Sequence, residues 1–487
     1  MAAMTRYCDS RLALRNSAAR IPFRYGSACL TRCPQALLEV EFEVDGKQQT
    51  GYSADCLPPS WFDKSPDKDY RQQIAEMIAA IQRAEQVFAE EMAQPVSVFD
   101  AWLSSLQRMQ EEGREHGWTT LLSSFGVSMV ERALLDAVAR RHRVGFSVAV
   151  RKGLYGIRAG EVHPELAGAS PAEWLPAKPA DQIHVRHTIG LSDPLTAADI
   201  SPEDLVNDGR PQALEDYVTG DGISYIKIKV SNQLEQDLER LREIAGIVQL
   251  HRDGDYHVTL DGNEQYTSAA EVTELVDRIE SDPQLVTLWK NVILIEQPLA
   301  RDVALDQADA AGIGTLGARK PVIIDESDGE LHSAALAMQR GYRGTSSKCC
   351  KGPLKSILNA GLIWLKNDHG QADNYLMTGE DLCTLGVVSV QADLCLVNTL
   401  GLSHVEKNGH HFMPGLSYLP SEDQQAALAA HGDFYEVREG VVMPAVRDGQ
   451  FQIESLSCPG FGFSVVPDID QWISAADWEF SSLGLEE

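Results

Sequence analysis

The chain has 487 residues, 44% of them apolar, which is too long for one ordinary domain and enough to bury two sizeable cores. Its 42 Lys and Arg stand against 71 Asp and Glu, a formal charge of -29, so the average surface repels phosphate backbones and anionic lipid, and neither a nucleic-acid nor a membrane partner is expected. No apolar run approaches the roughly 20 residues that span a bilayer, the opening MAAMTRYCDSRLALRNSAARIPF lacks the apolar core of a secretory signal, and the nine cysteines are odd in number and scattered, so a reducing, cytoplasmic setting is expected.

In chain order, the segment ALLEVEFEVDGKQQTGYS (36–53) alternates apolar and polar side chains about an Asp-Gly pair, which predicts an antiparallel hairpin. Cys29 and Cys33, just before it, have a spacing seen at metal sites, but no second pair follows at zinc-ligand distance, so they are read as small buried hydrophobes. From about 68 to 145, RQQIAEMIAAIQRAEQVFAEEM and SMVERALLDAVARR carry apolar residues at three- and four-residue steps, a helical layer to pack on the hairpin. Segment 157–185, rich in Pro, Ala and Gly, reads as a linker.

After about 183, short apolar strands alternate with amphipathic helices, the rhythm of βα units and a parallel sheet. The predicted strands are IHVRHTIG, SYIKIKV, YHVTLDGN, NVILIEQPL, PVIIDES, RGTSSKCC and NYLMTGED, with an eighth near LSHVEKN. Between the second and third, Leu234, Leu238, Leu241, Ile244 and Val248 mark one helix face. Eight such units predict an α/β fold with a closed (β/α)8 barrel. The expected domains are an α+β cap (1–182), the barrel (183–425) and a β-like tail (426–487) that folds back onto the cap.

Active sites of such barrels lie at the C-terminal strand ends, so the polar residues that close each apolar run are the candidates. Lys227 and Lys229 end SYIKIKV, Asp261 ends HVTLDGN, Glu296 ends VILIEQP, Asp325 ends PVIIDES, and Lys348 follows RGTSS. Lys227 and Lys229, two apart on a strand, point to one face. Burying two ammonium groups requires anions nearby, and Asp261, Glu296 and Asp325 would each supply one carboxylate to a common point, an oxygen-only set suited to Mg2+. A single strand-ending Asp or Lys is usually a cap or a surface charge, but this ordered series is hard to obtain from unrelated caps.

KIK, DGN, IEQP, DES and SSKCCKG together resemble the successive strand-end motifs of the enolase superfamily, in particular its mandelate racemase and muconate lactonizing enzyme branch. RIPFRYG and GYSADCLPPSWF resemble that branch's capping strand and the mobile loop over substrate, ERALLDAVAR its domain-connecting helix, and CPGFGFSVV its C-terminal strand. The resemblance implies that Asp261, Glu296 and Asp325 are metal ligands for Mg2+, that Lys229 is the base on one face of a small-molecule carboxylate substrate with Lys227 its electrostatic helper, and that Lys348 faces it from the other side. The implied chemistry is removal of the proton next to the carboxylate through an enolate, in a racemase or epimerase, cycloisomerase or dehydratase, and a homo-oligomer is expected. Two other classes remain open: a barrel forming a Schiff base through Lys229 or Lys348, and a metal-binding barrel without catalysis.

Several residues have two readings. Glu326 adjoins Asp325, and since neighbouring strand residues face opposite ways, the ligand is assigned to Asp325 and Glu326 is placed behind it. Asn263 is either a turn residue or a group that orients a ligand. His404, His410 and His411 are read as solvent-exposed loop histidines. Glu380 and Asp381 close the seventh strand, where some members of the branch hold a polar substrate contact or a His-Asp dyad, and no histidine is positioned to complete a dyad with them. Cys349 and Cys350 are read as packing, and Lys351 as a supporting charge.

Overall fold

In a computed structural model that describes residues 2–26, 28–308, 310–368 and 374–485, the N-terminal region forms an antiparallel sheet of β1 (Met4–Tyr25), β2 (Ala28–Val44) and β3 (Lys47–Cys56). The β2–β3 connection is the predicted Asp-Gly turn: Asp45 and Gly46 both take positive φ, 51° and 72°, which suits the strand twist of a two-residue hairpin. β1 extends well beyond the RIPFRYG segment, and two register shifts along it leave Phe23 and Tyr25 at its far end. Of the two early cysteines, Cys33 is buried and Cys29 is exposed, so only Cys33 packs as expected; Cys29 pairs with Arg24 at the start of β2.

Three helices cover one face of this sheet. α1 (Tyr70–Glu91) starts on an Asp69–Gln72 capping box, α2 (Val98–Glu115) on Ser97, and α3 (Thr120–His142) on Thr119, each side-chain oxygen accepting an otherwise unpaired N–H. α3 is buried from Leu121 to Ala139 on all sides, because β2 and β3 lie against one face, α1 and α2 against another, and the barrel segment Cys349–Lys351 against a third. Such a helix carries no polar stripe. Its ionisable groups are therefore partnered: Arg132 donates to Asp55 at 3.0 Å with both side chains buried, and Glu131 Oε1 accepts the Leu354 N–H at 2.7 Å.

Burial raises the Glu131 carboxyl to about 8 from an ordinary 4.5. The folded protein thus holds a proton there that the unfolded chain releases, and stability declines as pH rises between those two values. Glu131→Gln removes the titration. Thermal unfolding followed from pH about 6 to about 9 should show a flatter decline for the variant, with a Tm a few degrees above the parent at the alkaline end.

The second domain is the predicted barrel. Its strands are β4 (Gln182–Ile189), β5 (Tyr225–Lys229), β6 (His257–Asp261), β7 (Val292–Glu296), β8 (Val322–Ile323), β9 (Gly344–Ser347), β10 (Leu376–Gly379) and β11 (His404–Glu406), all parallel. The sheet runs in the order β9-β10-β11-β4-β5-β6-β7-β8, and a parallel bridge from Ile324 to Thr345 closes it. The helix after β5 spans Leu234–Arg252 and buries Leu238, Leu241, Ile244 and Val248, as its spacing predicts.

The tail serves both domains. β12 (Gln450–Gln452) pairs antiparallel with β4 on the barrel, Gly460 bridges to Gly145, and Ile473–Ser474 pairs with β1 at Ala13 and Leu14. Among the described residues no helix is long and apolar enough to cross a membrane.

Candidate active site

Parallel pairing sets Lys229 beside Asp261 and Asp261 beside Glu296, so three consecutive strands end on one row of charged residues. Gly262 follows because nothing larger fits: a Cβ there would lie 2.6 Å from Pro298 Cα. The chain then turns left-handed at Asn263, whose N–H donates to Asp261 Oδ1 at 2.7 Å and whose Nδ2 donates to Glu326 Oε1 at 2.8 Å. Asn263 therefore orients one acid through its backbone and another through its side chain.

β5 and β9 are the second and sixth of eight strands, diametrically opposed around the barrel. Lys229 Nζ lies 2.6 Å from Asp261 Oδ2 on one side, and Lys348 Nζ lies 2.7 Å from Asp325 Oδ2 on the other. Lys348 also sits 4.3 Å from the centre of the Trp61 ring, supplied by the loop after β3. A cavity between them is lined by Lys227, Lys229, Asp261, Asp325, Glu326 and Lys348 among others, while Glu296 lies buried beside Lys227 and is not part of the lining.

Lys227 is the hub of the buried charges. Its Nζ reaches Asp261 at 3.0 Å, Glu296 and Glu380 at 2.8 Å, and Glu406 at 3.0 Å. Burial opposes its charge, yet these four carboxylates hold its pKa well above the ordinary lysine value. Arg186 pairs with Glu380 from below, and Thr188 and Asn408 both donate to Glu406. Glu406 closes the eighth strand just as the other acids close theirs, so the strand-end rule would have found it; Arg186 lies within β4 and carries no such signal.

Burial raises acids and ammonium groups lower them, and the balance differs at each site. Asp261 is held below its usual range because Lys227 and Lys229 outweigh burial, and Asp325 is held well below because Lys348 and Lys351 do. Lys351 donates to Asp325 Oδ1 at 3.1 Å and to Ser346 Oγ at 2.7 Å, the supporting charge its position predicts. Glu296 goes the other way, raised well above its usual range by burial and by the nearby Asp261 and Glu380.

Glu326 departs from its expected place. The strand proper ends at Ile323, so the alternation that would turn Glu326 away does not extend to it, and both Asp325 and Glu326 line the cavity. Burial and the adjacent Asp325 raise the Glu326 carboxyl to about 7. His410 and His411 are also not exposed: they are buried with His187 and Tyr217, and Arg210 caps the His410 carbonyl. His404 is partly exposed and stacks on Tyr225 near the start of β5, away from the cavity. Cys349 and Cys350 are buried packing groups.

Among the described residues, no three His, Cys, Asp or Glu side chains are already gathered as a ligand set. The residues nevertheless fit a hard divalent cation. The donors are carboxylate oxygens, Glu296 Oε2 and Glu326 Oε2 are buried without a partner, and one lysine is shared among four acids. Asp261, Glu296 and Asp325 would hold the ion, with Glu326 as a further oxygen donor.

No protein-family model matches the sequence, and no curated protein matches it. Solved structures do match the fold. A mandelate racemase/muconate lactonizing protein from Herpetosiphon aurantiacus is 16% identical with a TM-score of 0.59, covering 95% of this chain and 99% of its own. 2-Chloromuconate cycloisomerase from Rhodococcus opacus is 14% identical with a TM-score of 0.58, covering 96% and 98%. An enolase from Bradyrhizobium, complexed with magnesium and mandelic acid, is 14% identical with a TM-score of 0.55, covering 95% and 96%. The capped barrel of this chain thus has the fold of these mandelate racemase/muconate lactonizing, cycloisomerase and enolase structures.

Proposed function

We propose that the protein is a Mg2+-dependent enzyme that removes the proton next to a substrate carboxylate, as a racemase or epimerase, cycloisomerase or dehydratase. The observation that carries this reading is the pair of lysines on opposed strands, each held by a carboxylate at the rim of one cavity. A carbon acid of this kind is far weaker than any side chain, so charge developing on the carboxylate oxygens must be stabilised as the proton leaves. A Mg2+ ion held by Asp261, Glu296 and Asp325 would supply that stabilisation as a Lewis acid. The solved relative complexed with magnesium and mandelic acid supports the choice of ion.

Lys229 and Lys348 then approach the α carbon from opposite faces. An amine must shed its proton before it can act as a base, and at Lys348 burial works in that direction while Asp325 and Glu326 outweigh it and hold the ammonium above the ordinary lysine range. One amine removes the proton and the other, protonated, returns one, which inverts the centre; the same pair serves elimination if a leaving group stands on the next carbon. Lys227, with four carboxylates on it, acts as the fixed charge that holds the acids in place.

Incubation with Mg2+ in deuterated water and a panel of carboxylic acids, followed by NMR, should show exchange at the α carbon that EDTA abolishes and added Mg2+ restores. Exchange indifferent to EDTA, together with an adduct trapped by borohydride, would replace this reading with Schiff-base chemistry.

A further inference from the structure

β9 ends just short of the lysine it delivers to the cavity. The last residue of the strand ladder is Ser347, paired with Gly379, and Lys348 follows in extended conformation, φ -136° and ψ 138°, before the short turn Cys349–Lys351. Past the ladder, buried backbone groups need other partners. The Lys348 carbonyl accepts the Lys351 N–H at 3.0 Å, and the Cys349 N–H donates to Asp393 Oδ1 at 3.2 Å. Those two groups are the ends of one planar peptide unit, so holding both fixes its orientation and the direction in which Lys348 leaves the backbone.

Asp393 lies in the helix Val388–Thr399, every residue of which is buried, and is itself 2% exposed. An aspartate reaches such a place only when it is paired. Its Oδ2 is held by Lys407, whose Nζ also reaches Asp381 at 3.0 Å and Thr384 Oγ1 at 3.1 Å. A buried ion pair is generally no more stabilising than well-packed hydrocarbon of the same volume, so stability alone does not account for an aspartate and a lysine here. A carboxylate at this point does give the Cys349 N–H a strong and fixed acceptor. The neighbouring anchors hold other parts of the segment: Lys351 is on Asp325, and the Leu354 N–H is on Glu131.

We infer that Asp393 is a positioning residue for Lys348, fixing through the Cys349 N–H the angle at which that amine enters the cavity. This rests on the proton-abstraction reading for what Lys348 does once it is placed. Reacting groups must be held within about 0.5 Å and 10–20° of the productive geometry, and a misplacement of about 1 Å can cost on the order of 10²-fold in rate. Lysine is long, so a small turn of its peptide unit is largest at Nζ. Lys229 is served by none of these contacts: it ends β5 still within the ladder, paired with Asp261. Loss of the Asp393 acceptor therefore weakens proton transfer on one face of the substrate and spares the other.

Two double variants of the full chain isolate the contact. Asp393→Leu with Lys407→Met removes the ion pair and the acceptor, whereas Asp393→Asn with Lys407→Met removes the ion pair and keeps an acceptor oxygen. In both, Asp381 retains its bonds from Thr384 and the Asn408 N–H. Exchange at the α carbon is followed by NMR in deuterated water with saturating Mg2+ and each pure enantiomer of mandelate, tartrate and N-acetylalanine, and crystal structures of both variants are determined. Relative to the asparagine variant, the leucine variant should lose exchange of the enantiomer served by Lys348 about 10- to 10²-fold and keep that of the other within about twofold. Its Lys348 Nζ should also leave the 2.7 Å contact with Asp325 that the asparagine variant preserves. Equal loss of both enantiomers, or loss of neither, overturns the inference. A parent protein that exchanges none of these acids counts against the proposed reaction instead, and the crystal structures then decide the inference alone: a Lys348 amine unmoved in the leucine variant overturns it. Asp393→Ala with Lys407→Met carries the same comparison where leucine prevents folding.

Discussion

Lys229→Met and Lys348→Met should each lower α-proton exchange about 10²- to 10⁴-fold, with loss confined in each case to the substrate enantiomer whose proton faces the missing amine. Methionine keeps the length and apolar stem of lysine and removes only the ammonium. Lys229 contacts one carboxylate, Asp261, which keeps Lys227 as a second partner, so folding should survive. Lys348 leaves Asp325 still paired with Lys351. NMR in deuterated water with each pure enantiomer measures the split directly. If one variant lost exchange of both enantiomers and the other of neither, a single lysine would be the base for both faces and the opposed-pair mechanism would fail. Exchange at parental rates in both variants would remove the lysines from the mechanism altogether.

Lys227→Met should instead unfold the protein, although it lies only two residues from Lys229 on the same strand. Its ammonium is the shared partner of Asp261, Glu296, Glu380 and Glu406, all buried. Asp261 and Glu380 have Lys229 and Arg186 in reserve, but among the described residues Glu296 has no other cation on it, and Glu406 keeps only neutral donors in Thr188, Asn408 and the Asp381 N–H. Removing one member of a buried ion pair costs about 3–5 kcal/mol because the orphaned charge stays in a poor solvent, a large fraction of the ~5–15 kcal/mol that stabilises a domain. Denaturant titration should show that loss, or the variant should be recovered only as insoluble chain. A variant as stable as the parent would mean that these acids fold protonated, and the charge network described here would be wrong.

The two substitutions separate what the strand-end pattern conveys from what it does not. Reading the charged residue that closes each apolar run identifies Lys229, Asp261, Glu296, Asp325 and Lys348, because strand periodicity and parallel register are local properties written in the spacing of apolar residues. It does not distinguish the roles of Lys227 and Lys229, since both share a face. Their difference arises from partners far along the chain: Glu406 lies 179 residues from Lys227, and Glu380 lies 153 away. The wrong assignment of His410 and His411 to solvent has a similar origin. A polar run such as SHVEKNGHHF looks like a surface loop, and only the packing of His187, Tyr217 and β1's Phe23 around it makes it interior.

The amino-acid sequence alone determined the hairpin and its turn, the helical layer, the eight barrel strands and the charges at their ends, because each depends on residues within a few positions of one another. The tertiary structure alone decided which ammonium neutralises which acid, that Glu326 joins Asp325 at the cavity, and that the cap lays Phe23 and Trp61 over the ionic floor. Those outcomes follow from barrel closure and from docking the cap, which bring together groups whose separation along the chain carries no periodic signal.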